Sequence, residues 1–275
     1  MGNIVFIGGG NMATALVGGM VAAGTPTARF VVVEPVAEAR DRLAARFPGI
    51  ALREQAGGDA LRDAELVVLA VKPQQMRDAC AALAPHVAAV PAVLSIAAGT
   101  RIADLSRWLG GYARLLRAMP STPALVGAGI SGCYAAPGVE AGARATAEGL
   151  LRAAGEVLRV EREATLDPVT GVSGSGPGYV FLMLEALEAA AQDAGFAPDE
   201  ARQLALATFA GAVKLAQASD TPFAALRAQV TSKGGTTERG IAALEAGDVR
   251  GAVLRAVRAA TARATEMGDA AGADA

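Results

Sequence analysis

The sequence predicts an α/β protein in two parts: an N-terminal parallel-sheet domain over residues 1–161 and an all-helical domain over residues 162–275. Three observations predict it. Short β-branched runs alternate with helical runs through the first part, the pattern of repeated βα units. A glycine-rich turn, Gly8-Gly9-Gly10-Asn11-Met12-Ala13, joins the first strand to the first helix. After about Arg162 the strand runs stop, and helical periodicity continues to about Met267.

Ile4–Ile7 reads as the first strand, with a helix from Met12 to Ala23. Phe30–Val33 is the second strand, followed by a helix from Val36 to Phe47. Leu66–Val71 and Ala92–Ile96 are further strands, and Glu156–Val160 is the last. The unbroken apolar run Leu66–Val71 fits a strand buried on both faces, which is the habit of parallel sheets. In the second part a long helix runs from Pro177 to Ala194: proline favours a first turn, and Gly195 supplies a stop. Pro198–Ala218, Pro222–Val230, Thr236–Ala246 and Val249–Met267 follow as helices. They are apolar nearly all round, which requires burial, in part by another subunit. Gly268–Ala275 is small and polar and is expected to fray. No internal repeat is present.

The chain has 275 residues, 52% hydrophobic and 19% charged, enough apolar content for two cores. A formal net charge of -2 argues against nucleic acid as a partner. No apolar run is long and uninterrupted enough to span a bilayer. The strand begins immediately after Met1-Gly2, without a basic leader, so a cytoplasmic protein is expected. Cys80 and Cys133 lack metal or redox spacing and read as buried thiols. With His86 the only histidine, no histidine-based metal site or Ser-His triad can be built within one chain.

The turn Gly8–Ala13 has the G-x-G-x-x-A form of a dinucleotide-binding turn. Gly8 makes the turn, Gly10 admits a pyrophosphate, and Ala13 permits close helix–strand packing. Glu34 ends the second strand, where a carboxylate holds ribose hydroxyls and repels a 2′-phosphate. It reads equally as a strand-end surface charge, and Arg40, one turn later, could still meet a phosphate. Val71-Lys72-Pro73 and Ile96-Ala97-Ala98-Gly99 follow carboxyl ends of strands, where open sheets bind ligands. Lys72 is one of three lysines beside 22 arginines; site residue and solvated loop lysine are equal readings.

Lys233-Gly234-Gly235-Thr236-Thr237-Glu238 reads as a small-anion cradle. Two glycines let amides turn outward, and two threonines follow at a helix N-terminus, where free N–H groups favour a bound anion. Met119-Pro120-Ser121-Thr122-Pro123 forms a rigid loop, either a turn or the wall of a site. Ser173-Gly174-Ser175-Gly176-Pro177, with Thr170 just ahead, reads as a hinge or as a ligand loop at a helix N-terminus. Asp220, ahead of Pro222, reads first as an N-cap.

Three segments together, Ala118–Leu125, Val172–Pro177 and Val230–Thr237, resemble pyrroline-5-carboxylate reductase across essentially the whole chain and in the right order. The resemblance implies a Rossmann-like domain, a helical dimerisation domain, and reduction of 1-pyrroline-5-carboxylate to L-proline with NADPH or NADH. It implies a homodimer with intertwined C-terminal helices, which in many members forms a ring of five dimers. By similarity Gly8, Gly10, Asn11 and Met12 contact the pyrophosphate, and Val71, Lys72, Pro73, Ala97 and Gly99 line the dinucleotide. Ser232, Gly234, Gly235, Thr236 and Thr237 hold the substrate carboxylate and ring, with Thr237 near the ring nitrogen. Thr170 and Asp220 fall at positions associated with the active site. Ser121 stands where asparagine is usual, beside the nicotinamide, and Lys233 where proline is frequent. Glu34 departs from the NADPH preference common in the family.

Two other readings compete. A reductase of the β-hydroxyacid dehydrogenase type, or one acting on another imine, shares the first domain. The former places a lysine on its long central helix, and Pro177–Ala194 has none. A nonenzymatic nucleotide sensor explains the Gly8 turn but leaves the Thr236-Thr237 cradle without a purpose.

Overall fold

The structure is a computed structural model that describes residues 2–273. Two compact units are present, Met1–Ser175 with Arg258–Ala275, and Gly176–Val257. The division falls later than the boundary expected after residue 161, and the end of the last helix returns to the first unit.

The first unit holds one eight-stranded sheet. Its strands are β1 (Asn3–Ile7), β2 (Phe30–Val33), β3 (Ala51–Arg53), β4 (Ala64–Leu69), β5 (Val93–Ser95), β6 (Leu115–Pro120), β7 (Gly129–Ala135) and β8 (Gly155–Arg159). They lie in the order β3-β2-β1-β4-β5-β6-β7-β8. The first six run parallel. Strand β7 is antiparallel to β6, and β8 parallel to β7. The wholly parallel sheet expected from the βα alternation therefore ends at β6. The turn after Pro120 sends the chain straight back, with Gly127 in the left-handed region at φ 72°. Strand β3 is a three-residue edge with no buried side chain, so it left no apolar run to read.

Helices α1 (Asn11–Ala22), α2 (Ala37–Arg46), α3 (Pro73–Leu83), α4 (Ile102–Trp108) and α5 (Ala141–Arg152) surround this sheet. Alternate strand residues enter two separate cores. Ile4, Phe6 and Leu66 pack with Leu16 of α1 and Leu150 of α5. Val5, Ile7 and Val67 pack on the other face with Met76 of α3 and Leu105 of α4. Period-two alternation with both phases apolar is what a sheet covered on both sides demands. The chain order reverses between β1 and β4, and in such sheets ligands bind in the crevice at that switch point.

After β8 comes the short helix α6 (Leu166–Val169), then a π-helical turn over Thr170–Gly174. Helix α7 (Gly176–Asp193) follows almost without a break. The expected loop Ser173–Pro177 is therefore helical: the wider π turn accommodates the two glycines, with the Ser175 N–H bonded to the Thr170 carbonyl at 2.8 Å. The second unit continues with α8 (Pro198–Gln217), α9 (Phe223–Gln229) and α10 (Thr236–Ala246). Gly195 has φ 99° and ends the α7 segment, as its sequence position implied. Helix α11 (Val249–Ala273) starts in this unit and finishes in the first. The tail expected to fray is helical through Ala273, and Gly268 is buried; Asp274 and Ala275 lie outside the described residues.

Candidate functional site

The turn after β1 is built for close approach. Gly8 has φ 100°, and a Cβ there would sit 2.7 Å from the Ala70 carbonyl oxygen. At Gly10 a Cβ would meet nothing within 4 Å, so the backbone is open at the start of α1. Gly10 caps α1 without a side-chain bond, and no acidic residue occupies the first turn. The first internal bond there is from the Thr14 N–H to the Gly10 carbonyl, so the amides of Asn11 and Met12 point outward at the positive end of the helix. This arrangement fits a pyrophosphate. Ala13, 1% exposed, lies in the first core, which draws the helix close to the strand.

Glu34 is more than a strand-end charge. Its Oε2 accepts the Gly9 N–H at 2.9 Å, and its Oε1 accepts the Val36 N–H at 3.0 Å. The carboxylate therefore braces the glycine turn and faces the same cavity. That cavity has a volume of about 600 Å³ and is lined by Gly8, Gly10, Glu34, Val71 and Lys72 among others. Its volume falls within the usual range for cofactor sites. Arg40 donates from Nη1 to the carbonyl oxygens of Glu34 and Pro35, at 2.7 and 2.8 Å. Its Nη1 is thereby committed to the backbone at the end of β2. Lys72 is the exposed N-cap of α3, with Pro73 at the first helical position. Ala97 and Gly99 are buried beyond β5, Gly99 with φ 71°.

Ser121 follows β6 directly, at the head of the β6–β7 turn. It is 3% exposed, and its Oγ accepts the Ile130 N–H at 3.0 Å, locking the β6–β7 turn. Thr170 Oγ1 donates to the Leu166 carbonyl at 2.8 Å, within its own helix. Gly174 lies against Met119, where a Cβ would come 2.8 Å from Met119 Cε. That contact was not legible in the sequence, because the π turn that creates it has no residue signature.

In the helical unit, Gly235 caps α10 with no side-chain bond, and Gly234 has φ 75°. Ser232 Oγ lies against Gly235, where any Cβ would collide with it. The cradle differs in one respect from the expectation. The Gly234 N–H is taken by Glu238 Oε2 at 2.7 Å, and the Gly235 N–H by the Ser232 carbonyl at 3.0 Å. The capping residue's neighbour thus satisfies its own turn, and Gly234 is not a free donor. The first internal bond of α10 comes from the Arg239 N–H, so the Thr236 and Thr237 amides remain at the helix N-terminus beside their exposed hydroxyls. Asp220 is exposed and is not the N-cap of α9. That position is Pro222, while Ser219 Oγ closes the preceding turn by accepting the Thr221 N–H at 3.0 Å.

Among the described residues no group of three or more histidine, cysteine or acidic side chains could hold a metal, and no helix is long and apolar enough to cross a membrane. Burial pushes the thiols of Cys80 and Cys133 up to about 12, so both are inert at neutral pH.

Two family models match the chain. Residues 163–267 match pyrroline-5-carboxylate reductase dimerisation, and residues 3–99 match the NADP oxidoreductase, coenzyme F420-dependent, family. A pyrroline-5-carboxylate reductase of Pseudomonas aeruginosa is 42% identical over 97% of both chains. The structure of a pyrroline-5-carboxylate reductase from Coxiella burnetii superposes with a TM-score of 0.91, at 37% identity over 97% of this chain and 98% of that one. The Plasmodium falciparum pyrroline carboxylate reductase with NADP bound gives a TM-score of 0.85, at 26% identity over 97% and 98%.

Proposed function

We infer the function from one premise: the chain belongs to the pyrroline-5-carboxylate reductase family. It is an oxidoreductase that reduces 1-pyrroline-5-carboxylate to L-proline with a nicotinamide dinucleotide, the last step of proline biosynthesis. The observation that carries this reading is full-length similarity at 42% identity. The two cradles, one shaped for a pyrophosphate and one for a small anion, support it.

Gly8, Gly10, Asn11 and Met12 hold the pyrophosphate, and Val71, Lys72, Pro73, Ala97 and Gly99 line the rest of the dinucleotide. When bound, the reduced nicotinamide supplies a hydride. A cyclic imine accepts a hydride readily once its nitrogen is protonated, so the protein has chiefly to position the substrate. The amides and hydroxyls of Thr236 and Thr237 hold the carboxylate at the α10 N-terminus, with Ser232 and Gly235 shaping the turn. Lys233 adds positive charge, and Glu238 keeps Gly234 closed. The Thr237 hydroxyl orients the proton on the ring nitrogen, directly or through a water. Thr170 and Asp220 stand at positions that the family resemblance associates with the reaction, and Ser121 stiffens the β6–β7 turn.

Glu34 sets the cofactor preference. A carboxylate already fixed by two amides receives ribose hydroxyls and repels a 2′-phosphate, while Arg40 is held on carbonyl oxygens. NADH is therefore the preferred reductant. The protein works as a homodimer, assembled further into a ring of five dimers, in the cytoplasm, where reduced thiols are the rule.

The test is loss of nicotinamide absorbance with 1-pyrroline-5-carboxylate, using NADH and NADPH side by side and L-proline as the measured product. The expected result is turnover with kcat/KM about tenfold higher for NADH, one charge-repulsion step of about 1.4 kcal/mol. Preference for NADPH overturns the role of Glu34. No turnover with either overturns the activity.

A further inference from the structure

We propose that the last turns of α11, from Met267 to Gly272, are a strut that positions the Ala97–Gly99 segment for the cofactor. The proposal rests on the reading of that segment as part of the dinucleotide site. The strut lies at and beyond residue 267, where the match to the dimerisation family ends.

Four contacts tie the two segments together within the first unit. Gly99 holds φ 71°, and a Cβ on it would come 2.8 Å from Met267 Cβ and 3.4 Å from the Gly268 nitrogen. Gly268 is buried, and a Cβ there would fall 2.8 Å from Arg101 Nε and 3.3 Å from the Gly99 carbonyl oxygen. The two backbones therefore pack directly on each other: a Cβ on Gly99 would collide with Met267 Cβ, and one on Gly268 would displace the Arg101 side chain. Arg101 Nη2 pairs with Asp269 Oδ1 at 2.6 Å. One turn on, a Cβ at Gly272 would meet Asp104 Oδ1 at 3.4 Å, near the start of α4. Helix α11 is itself anchored in the same unit, by the buried Ala264 and by the Thr265 hydroxyl, which donates to Asp167 Oδ2 at 2.9 Å.

On its other side the segment is fixed by Glu163, whose Oε1 accepts both the Ile102 N–H and Arg117 Nη1 at 2.7 Å. The left-handed Gly99 turn is thus clamped between Glu163 and the end of α11. Glycine takes the left-handed region without strain and other regions as easily, so the turn keeps this one shape only while its neighbours hold it. The small residues that look like a frayed tail in the sequence are what allow a helix to lie directly on the backbone of the turn. Gly268, Asp269 and Arg101 are positioning residues: they act on the cofactor only through the segment they hold.

The experiment uses the full chain, a version ending at Met267, the single substitution Asp269→Arg, and the swap Arg101→Asp/Asp269→Arg. Arg101 is the N-cap of α4, a position that tolerates aspartate. NADH dissociation constants are read from nicotinamide fluorescence, and KM and kcat from steady-state turnover. The shortened chain should bind NADH about tenfold more weakly, with kcat at saturating NADH within about twofold of the full chain, as expected for a misplaced binding segment. Asp269→Arg should weaken binding about threefold at low ionic strength, with the effect fading at high salt, as for an exposed ion pair. The swap should restore the affinity. Unchanged NADH affinity in the shortened chain overturns the strut, and so does a swap that restores nothing. A full chain that binds no NADH overturns the cofactor reading itself and the strut with it.

Discussion

The sheet unit and the helical unit of this chain bury their apolar side chains in opposite ways. In the sheet unit, β1, β2 and β4 place Ile4, Phe6, Phe30, Leu66 and Leu69 at 1% exposure or less. In the helical unit α7, α9 and α10 have no buried residue, and α8 buries only Ala201 and Ala205. Four consecutive residues of α7, Val180 to Met183, are exposed, which covers the whole circumference of the helix. Leu204, Leu206, Val213 and Leu215 of α8 are exposed as well. A single chain therefore completes the core of one unit and leaves the other as half of a core. The difference locates the two candidate cradles: the glycine turn after β1 is built on a self-sufficient scaffold, and the Gly234–Thr237 turn on helices whose apolar faces call for a second copy, as the dimerisation family match describes.

The largest effect comes from attacking the incomplete half. Leu206→Asp puts a charge on the exposed apolar face of α8. It should abolish dimer formation by light scattering and reduce turnover at least a hundredfold, because an unpaired carboxylate in an apolar interface costs several kcal/mol. A fully active dimer would break the comparison.

Gly8→Val attacks the self-sufficient half at its most constrained point. The residue must keep φ 100° while its Cβ meets the Ala70 carbonyl oxygen. Strain of about 1–3 kcal/mol, together with the blocked approach, should weaken NADH binding tenfold or more and leave the dimer intact. Thr237→Val sharpens the division of labour: kcat should fall about tenfold to a hundredfold with NADH affinity unchanged, since the lost hydroxyl belongs to the other unit. Full activity in that variant would remove Thr237 from the mechanism.

The smallest effect lies at the far edge of the sheet. Glu148, with a side chain 2% exposed, bonds to Arg159 and Arg152. The hydrogen bonds from Arg159 hold its carboxyl below the usual carboxylate value, outweighing desolvation. A group with a lowered folded-state value contributes stability that is complete above its unfolded value, about pH 4.5, and is lost as pH falls through the folded value. Glu148→Gln should therefore lower stability by about 1–2 kcal/mol at pH 7, with a gap to the parent that narrows as pH falls below that range. A melting-temperature difference that stays constant with pH would contradict this account.

The elements with the strongest periodicity were legible in the sequence. Phe30–Val33 and Thr236–Ala246 coincide with their observed bounds, and the glycine-rich turn joins β1 to α1 as the glycines implied. What was not legible has physical reasons. Strand β7, with two glycines and a serine, carries no apolar alternation, and its antiparallel direction is set by a tight turn. The π turn at Thr170–Gly174 comes from helix continuity, which the Ser-Gly repeat disguises. Glu238 closes Gly234 through a contact four residues away, and the Gly268–Gly272 stretch is held by partners at Gly99, Arg101 and Asp104, far earlier in the chain. At the Gly8 turn the signal is local backbone geometry; at the Gly234 turn, part of the geometry depends on the partner that the Glu238 side chain takes, which the motif contains but does not specify.

The most direct measurement is a dilution series in which molar mass by light scattering and turnover per chain are followed together. The account predicts a dimer or a larger assembly across the active range, with turnover falling wherever the mass falls. A monomer that keeps full turnover would contradict it, since the exposed faces of α7 and α8 would then need no second copy.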